Sequence, residues 1–552
     1  MALLTAEAMN LLDATIMTVA APAIHADLGG PASGIQWFSA AYTLPFAVLL
    51  ITGGRLGDIA GRRRVFRIGV AGFVLASLAC ALAGSPAVLI AARAVQGAAA
   101  ALVIPQTIGL IRRMFDGDEL ARAMGGIGPV MGLAAVCGPV LAGVLTHADL
   151  FGFSWRAVFV VNIPLGAGVL ATAHLLPEDR SDRRPRLDLT GTVLAVLGTG
   201  LVVHPLIEGD LIPGAQASGA PASGGPAPGV LDAGPLRAWI CLAAGLAVLA
   251  GFGAHQRRRG ARGRSALVEP GLFRDRGFPA ALVASLLFFA VVNGLMLVVV
   301  LQLQLGLHAD VRSAGLTLLP WSGGMALASW IAGARLVPRH GSRVMFAGLA
   351  VLLTGVLAAI AVYEGYEVHA VHAAHPVHAV HAVYAAHAAG PATSYPWPLL
   401  VALAACGVGQ GLFAVPFFTT ALRRVRPYET GSAAGLLNAA QQLGGTLGTA
   451  VLGTVFLHGT VFLHAPAPAT ASASVPAIAA LHGARNAFWL AVALLVATTV
   501  AAALMRVRAT HRSRRRRSPA LRRRAHVPPP RRRAHMGADA HRTVKSRTGY
   551  GG

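Results

Sequence analysis

The sequence predicts an all-α polytopic membrane protein on three observations: too little charge for a water-soluble domain, apolar runs of spanning length from end to end, and arginines gathered in alternate connecting segments. Of 552 residues, 55% are hydrophobic and 12% charged, with a mean hydropathy of +0.62, against about 25% charged in a typical soluble domain. A single core has no room for that much apolar sequence. Lipid does, provided each crossing segment closes its own backbone hydrogen bonds as a helix. A run of about 18 residues crosses a hydrocarbon layer of about 30 Å, and fourteen such runs are present.

The first, 2–23, is read as a span and not a cleaved leader, because no basic segment precedes it (the first Arg is Arg55) and no small-residue cleavage site follows. Runs 35–53, 66–84, 87–111, 121–145 and 157–176 complete a first set of six. Runs 188–207 and 236–254 form an additional pair, joined by a Gly/Pro/Ala/Ser-rich linker from Gly209 to Gly234. Runs 278–301, 314–336, 343–363, 398–421, 432–457 and 486–505 form a second set of six. The expected organisation is an N-terminal bundle 1–176, two extra helices with linkers 177–277, a C-terminal bundle 278–506, and a tail 507–552.

Arginines fix the expected orientation. Even-numbered loops carry Arg62–Arg64, Arg112 and Arg113, Arg180–Arg186, Arg257–Arg264, Arg339 with Arg343, and Arg423–Arg426, whereas the others hold Arg156, Arg237, Arg312 and Arg485. The positive-inside rule then places both termini in the cytoplasm and the chain in the cell membrane.

Three features read as appendages or packing. Cys80, Cys137, Cys241 and Cys406 all fall in apolar runs without metal or redox spacing, so they are expected as small packing residues. His369, His372, His375, His378 and His381 recur every third residue in an Ala/Val background; metal binding is one reading, simple-sequence expansion without carboxylate or thiolate partners the other, and no metal site is expected. From Arg506 onward, sixteen Lys/Arg face one acid, Asp539. That tail suits anionic lipid headgroups; without aromatic platforms or a folded module, nucleic acid is not expected as a partner.

The chemistry concentrates in the first half. Asp13 lies inside LLDATIMTVAAPAI, where an ionised carboxylate costs roughly 2.5–3.5 kcal/mol on insertion scales. An acid held there is a candidate for exchanging a proton with each side in turn. Arg93, in RAVQGAAAALVIP, is the complementary oddity and needs a buried anion, for which Asp13 is the candidate. Glu7 lies in the same first run, closer to its end and within reach of the interface. Between the second and third runs stands GGRLGDIAGRRRVF, residues 53–66, in which glycines permit a tight turn, Asp58 accepts hydrogen bonds and the arginines anchor the inner face.

The ordered spacing of Gly54, Asp58, Gly61, Arg62 and Arg63 resembles the signature loop of the major facilitator superfamily, and RAVQGAAAA resembles that family's fourth-helix arginine motif. The fifth run, GPVMGLAAVCGPVLAG, resembles the motif of its antiporters, with Ala142 where the pattern has a glycine. Together with WRAVFVVNIPLG and fourteen runs, the chain is similar over about residues 10–505 to the QacA/EmrB-type branch of multidrug:proton antiporters. The resemblance implies two six-helix bundles that rock about a midplane cavity, with the proton gradient as energy source and no cofactor. It implies that Asp13 and Arg93 couple protons, that Asp58 with Arg62 forms an inner gate, with Asp116 or Asp118 as a further partner of the arginines, and that Gly138, Pro139 and Gly143 shape the fifth helix. Gln96, Asn293, Gln302, Asn438 and Gln441 are polar groups in apolar helices, expected either to line the cavity or to hold helices together.

The expected function is export of lipophilic or monocationic small molecules in exchange for protons, since the second half offers no clear second intramembrane carboxylate for dications. A dedicated exporter of one metabolite or lipid, and a non-transporting receptor or scaffold using the basic tail, are the alternatives. No Ser/His/Asp, phosphate-loop or metal constellation points to an enzyme.

Overall fold

With no water to receive backbone hydrogen bonds, the apolar runs have one local solution, and every regular element among the described residues is helical. The computed structural model describes residues 1–115, 119, 127–147, 152–180, 187–208, 233–262, 267–268, 270–273, 277–373, 397–423, 425, 430–461 and 474–516. The chain divides into two compact units, Met1–Arg506 and Val507–Gly552; within the second, residues 507–516 continue a helix.

The helices are α1 (Ala2–Leu28), α2 (Gly34–Ala60), α3 (Arg62–Ala81), α4 (Pro86–Met114), α5 (Ile127–His147), α6 (Ser154–Leu175), α7 (Leu189–Glu208), α8 (Ala233–Ala261), α9 (Gly277–Leu301), α10 (Leu319–Ile331), α11 (Arg343–Ala373), α12 (Trp397–Leu422), α13 (Thr430–Val461) and α14 (Ser474–Arg516). Among the described residues eleven are long and apolar enough to cross a membrane, all but α5, α10 and α13. Those three fall where the fifth, tenth and thirteenth runs are expected. Gly, Gln, Asn and Thr dilute the hydropathy of α13, and α10 is jointed, with Val311–Thr317 before it and a π-turn, Ala332–Leu336, after it.

Several helices outrun the expected spans, because a helix continues past the hydrocarbon until a residue breaks it. The turn expected across residues 53–66 is confined to Gly61, at φ 101°. Gly53 and Gly57 stay helical and serve a close approach: a Cβ on Gly53 would collide with the carbonyl of Ala101, and one on Gly57 with the Gln106 amide, whose Nε2 donates to the Gly53 carbonyl at 2.8 Å. Gly97 likewise lies against the carbonyl of Tyr42. Small residues thus bring α2 and α4 into backbone contact, the packing that helices in lipid favour.

α2 packs along α13, and α5 along α10 and the 311–317 segment, joining the first half of the chain to the second. Gln36 bonds Thr454 (3.4 Å), Thr43 bonds Thr446 (2.5 Å), and Gln304 Nε2 donates to the Val19 carbonyl (2.8 Å). These ties lie toward the face opposite Gly61 and the Arg-rich loops. α7, paired with α8, lies in the α2–α13 seam, where Val203 and Ile207 pack with Ala40, Leu44 and Ala450. At its end, Glu208 accepts from Trp37 Nε1 (2.7 Å) and Ser33 (3.1 Å), and the Leu206 carbonyl accepts from Thr454 (2.9 Å).

Candidate functional site: a buried ion pair in the first bundle

Asp13 is buried, and donors from two helices converge on its carboxylate. Arg93 NH1, from α4, donates to Oδ2 at 2.5 Å; Gln96 Nε2, one turn on, and Asn162 Nδ2, from α6, each donate to Oδ1 at 2.8 Å. Arg93 is 1% exposed. Its remaining groups are also engaged: Nε donates to the Phe38 carbonyl of α2 at 3.1 Å, and NH1 also donates to Gln96 Oε1 at 2.7 Å. Gln96 Nε2 further donates to Ser77 of α3 at 2.8 Å, and the Cys80 thiol reaches Gln96 Oε1 at 3.7 Å. The Tyr42 ring covers the guanidinium at 4.4 Å, with Phe159 at 5.9 Å on another side, and the Tyr42 hydroxyl donates to Asn10 Oδ1.

Two opposite charges removed from water are tolerable only where each remaining donor and acceptor is met, and this network meets nearly all of them. Asn162 Oδ1 is left without a hydrogen-bond partner. Charge-assisted bonds of this kind are about twice as strong as neutral ones. The ion pair is therefore a strongly held tie between α1 and α4.

The site is not at mid-height. Phe38 and Arg93 lie near the starts of α2 and α4, and Ser77 and Cys80 near the end of α3, which places the cluster in the half away from the Arg-rich loops. Met9 packs with Phe46, Phe73 and Ala100 from the middles of α2, α3 and α4. Glu7, two residues beyond Met9, is thus close to the centre and 6% exposed, not at an interface.

The signature loop closes on its own half. Arg62 pairs with Asp58 at 2.8 Å and with Asp179 at 3.3 Å, and its N–H donates to the Asp179 carbonyl at 2.9 Å. Arg63 pairs with Glu178 at 3.6 Å and donates to the Leu176 carbonyl at 3.1 Å; Arg113 reaches Asp179 at 3.8 Å. A Cβ on Gly61 would meet Glu178. Among the described residues, Arg62 and Arg63 are thus tied to Leu176, Glu178 and Asp179, after α6. Asp116 and Asp118 lie outside the described residues. Gly54 faces Pro105 of α4.

In α5, Gly138 admits Thr15 of α1 against its backbone, Gly143 meets the Arg312 backbone, and the Pro139 carbonyl faces Gly315. Of the polar residues expected at a cavity, Gln96 belongs wholly to the Asp13 network. Asn293 donates to the Phe289 carbonyl of its own helix at 2.9 Å and lies beside Gly445 of α13. Asn438 and Gln441 are half-buried on α13. Gln302 is 1% exposed at a π-turn, Gln302–Gly306, and neither its Oε1 nor its Nε2 has a hydrogen-bond partner. His369 and His372 fall within α11, and the rest of the histidine run, the linker 209–232 and residues 517–552 lie outside the described residues.

A second polar cluster escaped sequence reasoning. Asp188 caps α7 through the Gly191 N–H (3.0 Å) and accepts from His255 (3.0 Å) and Gln256 (2.8 Å) of α8, with Arg259 at 3.3 Å. Burial raises this carboxyl, but the bonds from His255, Gly191 and Gln256 and the Arg259 charge outweigh it and hold it below the usual carboxylate range. A group depressed on folding stabilises the fold above its unfolded value of about 3.9 and loses that contribution as pH falls through the folded value. Asp188→Asn is therefore expected to lower the melting temperature equally at pH 7 and pH 5, with the gap to wild type closing below about pH 4. A constant gap down to acid unfolding would remove Asp188 as its source.

Comparison with known sequences and structures fits this geometry. A family profile described as Major Facilitator Superfamily matches residues 3–449. A probable actinorhodin transporter of Streptomyces coelicolor is 42% identical over 82% of this chain and 71% of its own length. The puromycin resistance protein pur8 of Streptomyces alboniger is 32% identical over 91% of this chain and 89% of its own. A crystal structure of tetrameric PepTSo2 superposes with a TM-score of 0.57 over 93% of this chain and 98% of that one, at 17% identity, a likeness of fold alone.

Proposed function

We propose, from the premise that the chain belongs to the Major Facilitator Superfamily, that it is a proton-coupled exporter of lipophilic or monocationic small molecules, antibiotics among them, across the cell membrane. The observation that carries the reading is the buried Asp13–Arg93 pair, completed by Gln96 and Asn162 from α4 and α6. The names of the two Streptomyces relatives, a probable actinorhodin transporter and a puromycin resistance protein, support a reading with antibiotics as substrates.

In this reading fourteen helices span the membrane: α1–α6 form one bundle (1–176), α9–α14 the other (278–506), and α7 with α8 (within 177–277) is an inserted pair. The Arg-rich face is cytoplasmic, as are both termini, and the tail 507–552 meets anionic lipid. A proton reaching Asp13 removes the charge that holds Arg93, the polar wall loosens, and the bundles rock to expose the cavity on the other side. Return of the proton to the cytoplasm re-forms the pair. Gln302, Asn438 and Gln441 are the polar groups offered to substrate, and the α5 seam of Gly138, Pro139 and Gly143 is where the bundles slide.

The test is efflux from cells. Expression is expected to lower ethidium accumulation and raise puromycin tolerance severalfold, and a proton uncoupler is expected to abolish both; accumulation unaffected by expression, or efflux indifferent to the uncoupler, overturns the reading.

A further inference from the structure

We propose that Glu7 carries the exchangeable proton of this network in the conformation seen, so that Glu7, Asp13 and Arg93 work as one unit of two carboxylates and one guanidinium. The inference rests on the proton-coupled reading above and adds to it the residue that is loaded. Glu7, Asn10 and Asp13 recur at every third position of α1, each turned about 60° from the last, so Asn10 lies between the two acids with about 4.5 Å of rise on either side. Both acids are buried. Tyr42 packs beside this stretch: its hydroxyl donates to Asn10, the residue between the two acids, and its ring covers Arg93.

Among the described residues, the one cation seen against this stretch of α1, with its two acids, is Arg93. α2 offers Tyr42, α4 offers Arg93, and α3 offers the Cys80 thiol beyond Gln96. α6 offers the neutral Asn162; its Arg156 pairs with Asp27 at the far end of α1, and its exposed His174 bonds the Ala171 carbonyl. Arg312 lies by Gly143, and α9 contributes no charged side chain. Asp13 is already engaged by Arg93, Gln96 and Asn162. The unit is neutral when it holds one proton, and that proton sits on Glu7.

The exchange balances. A proton arriving at Asp13 from the face opposite the Arg-rich loops forms an O–H bond there and breaks the ion pair with Arg93. Arg93 is then the surplus cation. Glu7 breaks its O–H bond, releases the proton to water on the Arg-rich side, and remains as the carboxylate that balances Arg93. One proton enters, one leaves, and the buried charge is zero before and after, which avoids the cost of an unpaired charge in the membrane.

The test uses the full-length protein in liposomes with ethidium as probe. Wild type is expected to accumulate ethidium under an imposed pH gradient, Glu7→Gln to lose that accumulation at least about tenfold, and Glu7→Asp to keep most of it. At rest, the wild type is expected to show the infrared carbonyl band of a protonated carboxyl, absent in Glu7→Gln and retained in the Asp13→Asn, Arg93→Gln double variant, which has no cation left to balance an ionised Glu7; this readout does not depend on transport. A Glu7→Gln protein that accumulates ethidium like wild type, or that keeps the infrared band, overturns the role of Glu7 while leaving the proton-coupled reading intact. A wild type indifferent to the pH gradient overturns both.

Discussion

Arg93→Ala is expected to cost the protein both its stability and its drive. The substitution leaves the Asp13 carboxylate buried with only Gln96 and Asn162 as donors, and removing one partner of a buried pair costs about 3–5 kcal/mol. It also strips the Phe38 carbonyl of its Arg93 donor and uncovers one face of Tyr42. Melting in detergent is expected to fall by several degrees, and uphill ethidium transport to vanish. The informative companion is Asp13→Asn with Arg93→Gln. Without either charge the burial cost disappears, so the double variant is expected to recover most of the lost melting temperature while remaining unable to use a pH gradient. A double variant no more stable than Arg93→Ala would mean that the guanidinium stabilises by packing instead of by pairing. Arg93→Lys is expected to be intermediate, because an ammonium cannot donate to Asp13, Gln96 and the Phe38 carbonyl with one rigid fork.

Gly143→Leu is expected to stop transport while sparing the fold. A side chain there meets the backbone of Arg312, in the other half of the chain, and overpacking of this kind costs roughly 1–3 kcal/mol. Placed at a seam that closes in one state and opens in the other, that energy shifts the balance of states, and about 3 kcal/mol is roughly a hundredfold in rate or population. Membrane abundance and melting temperature are expected to stay near wild type. Gly97→Leu is the contrast, since its collision is with Tyr42 inside the same bundle. It has no alternative state in which to relieve the strain and is expected to lower abundance and melting temperature together. If the two variants behave alike, the α5 seam is static packing.

Much of the architecture was legible because hydropathy and backbone chemistry dictate helices wherever apolar runs are long enough. The oddity of Asp13 and Arg93 was legible because charge in such a run is costly wherever it sits. Their surroundings were not. Asn162 is one polar residue in NIPLG, and no periodicity says that α6 brings it to α1. Glu178 and Asp179 are far from Arg62 and Arg63 in sequence, and no motif or spacing links them. For Gln96 residue type left two roles open, lining a cavity or holding helices together, and its bonds to Asp13 and Ser77 favour the second. The glycines of the signature loop suggested a tight turn within residues 53–66; Gly53 and Gly57 answer to the close approach of α4, and only Gly61 to the turn. Glu7 was placed by counting from the end of the chain, while its depth is set by the residues level with it.

The position of α7 bears on speed more than on chemistry. Its last turn holds Ser33 and Trp37 of the first half through Glu208, and Thr454 of the second through the Leu206 carbonyl. Separating the halves at that end breaks several hydrogen bonds, each worth about 1 kcal/mol net. None of these residues touches Asp13. If the halves part as proposed, turnover and selectivity are set by different parts of the chain, and a variant at Glu208 is expected to alter how long the molecule dwells closed without altering what it carries.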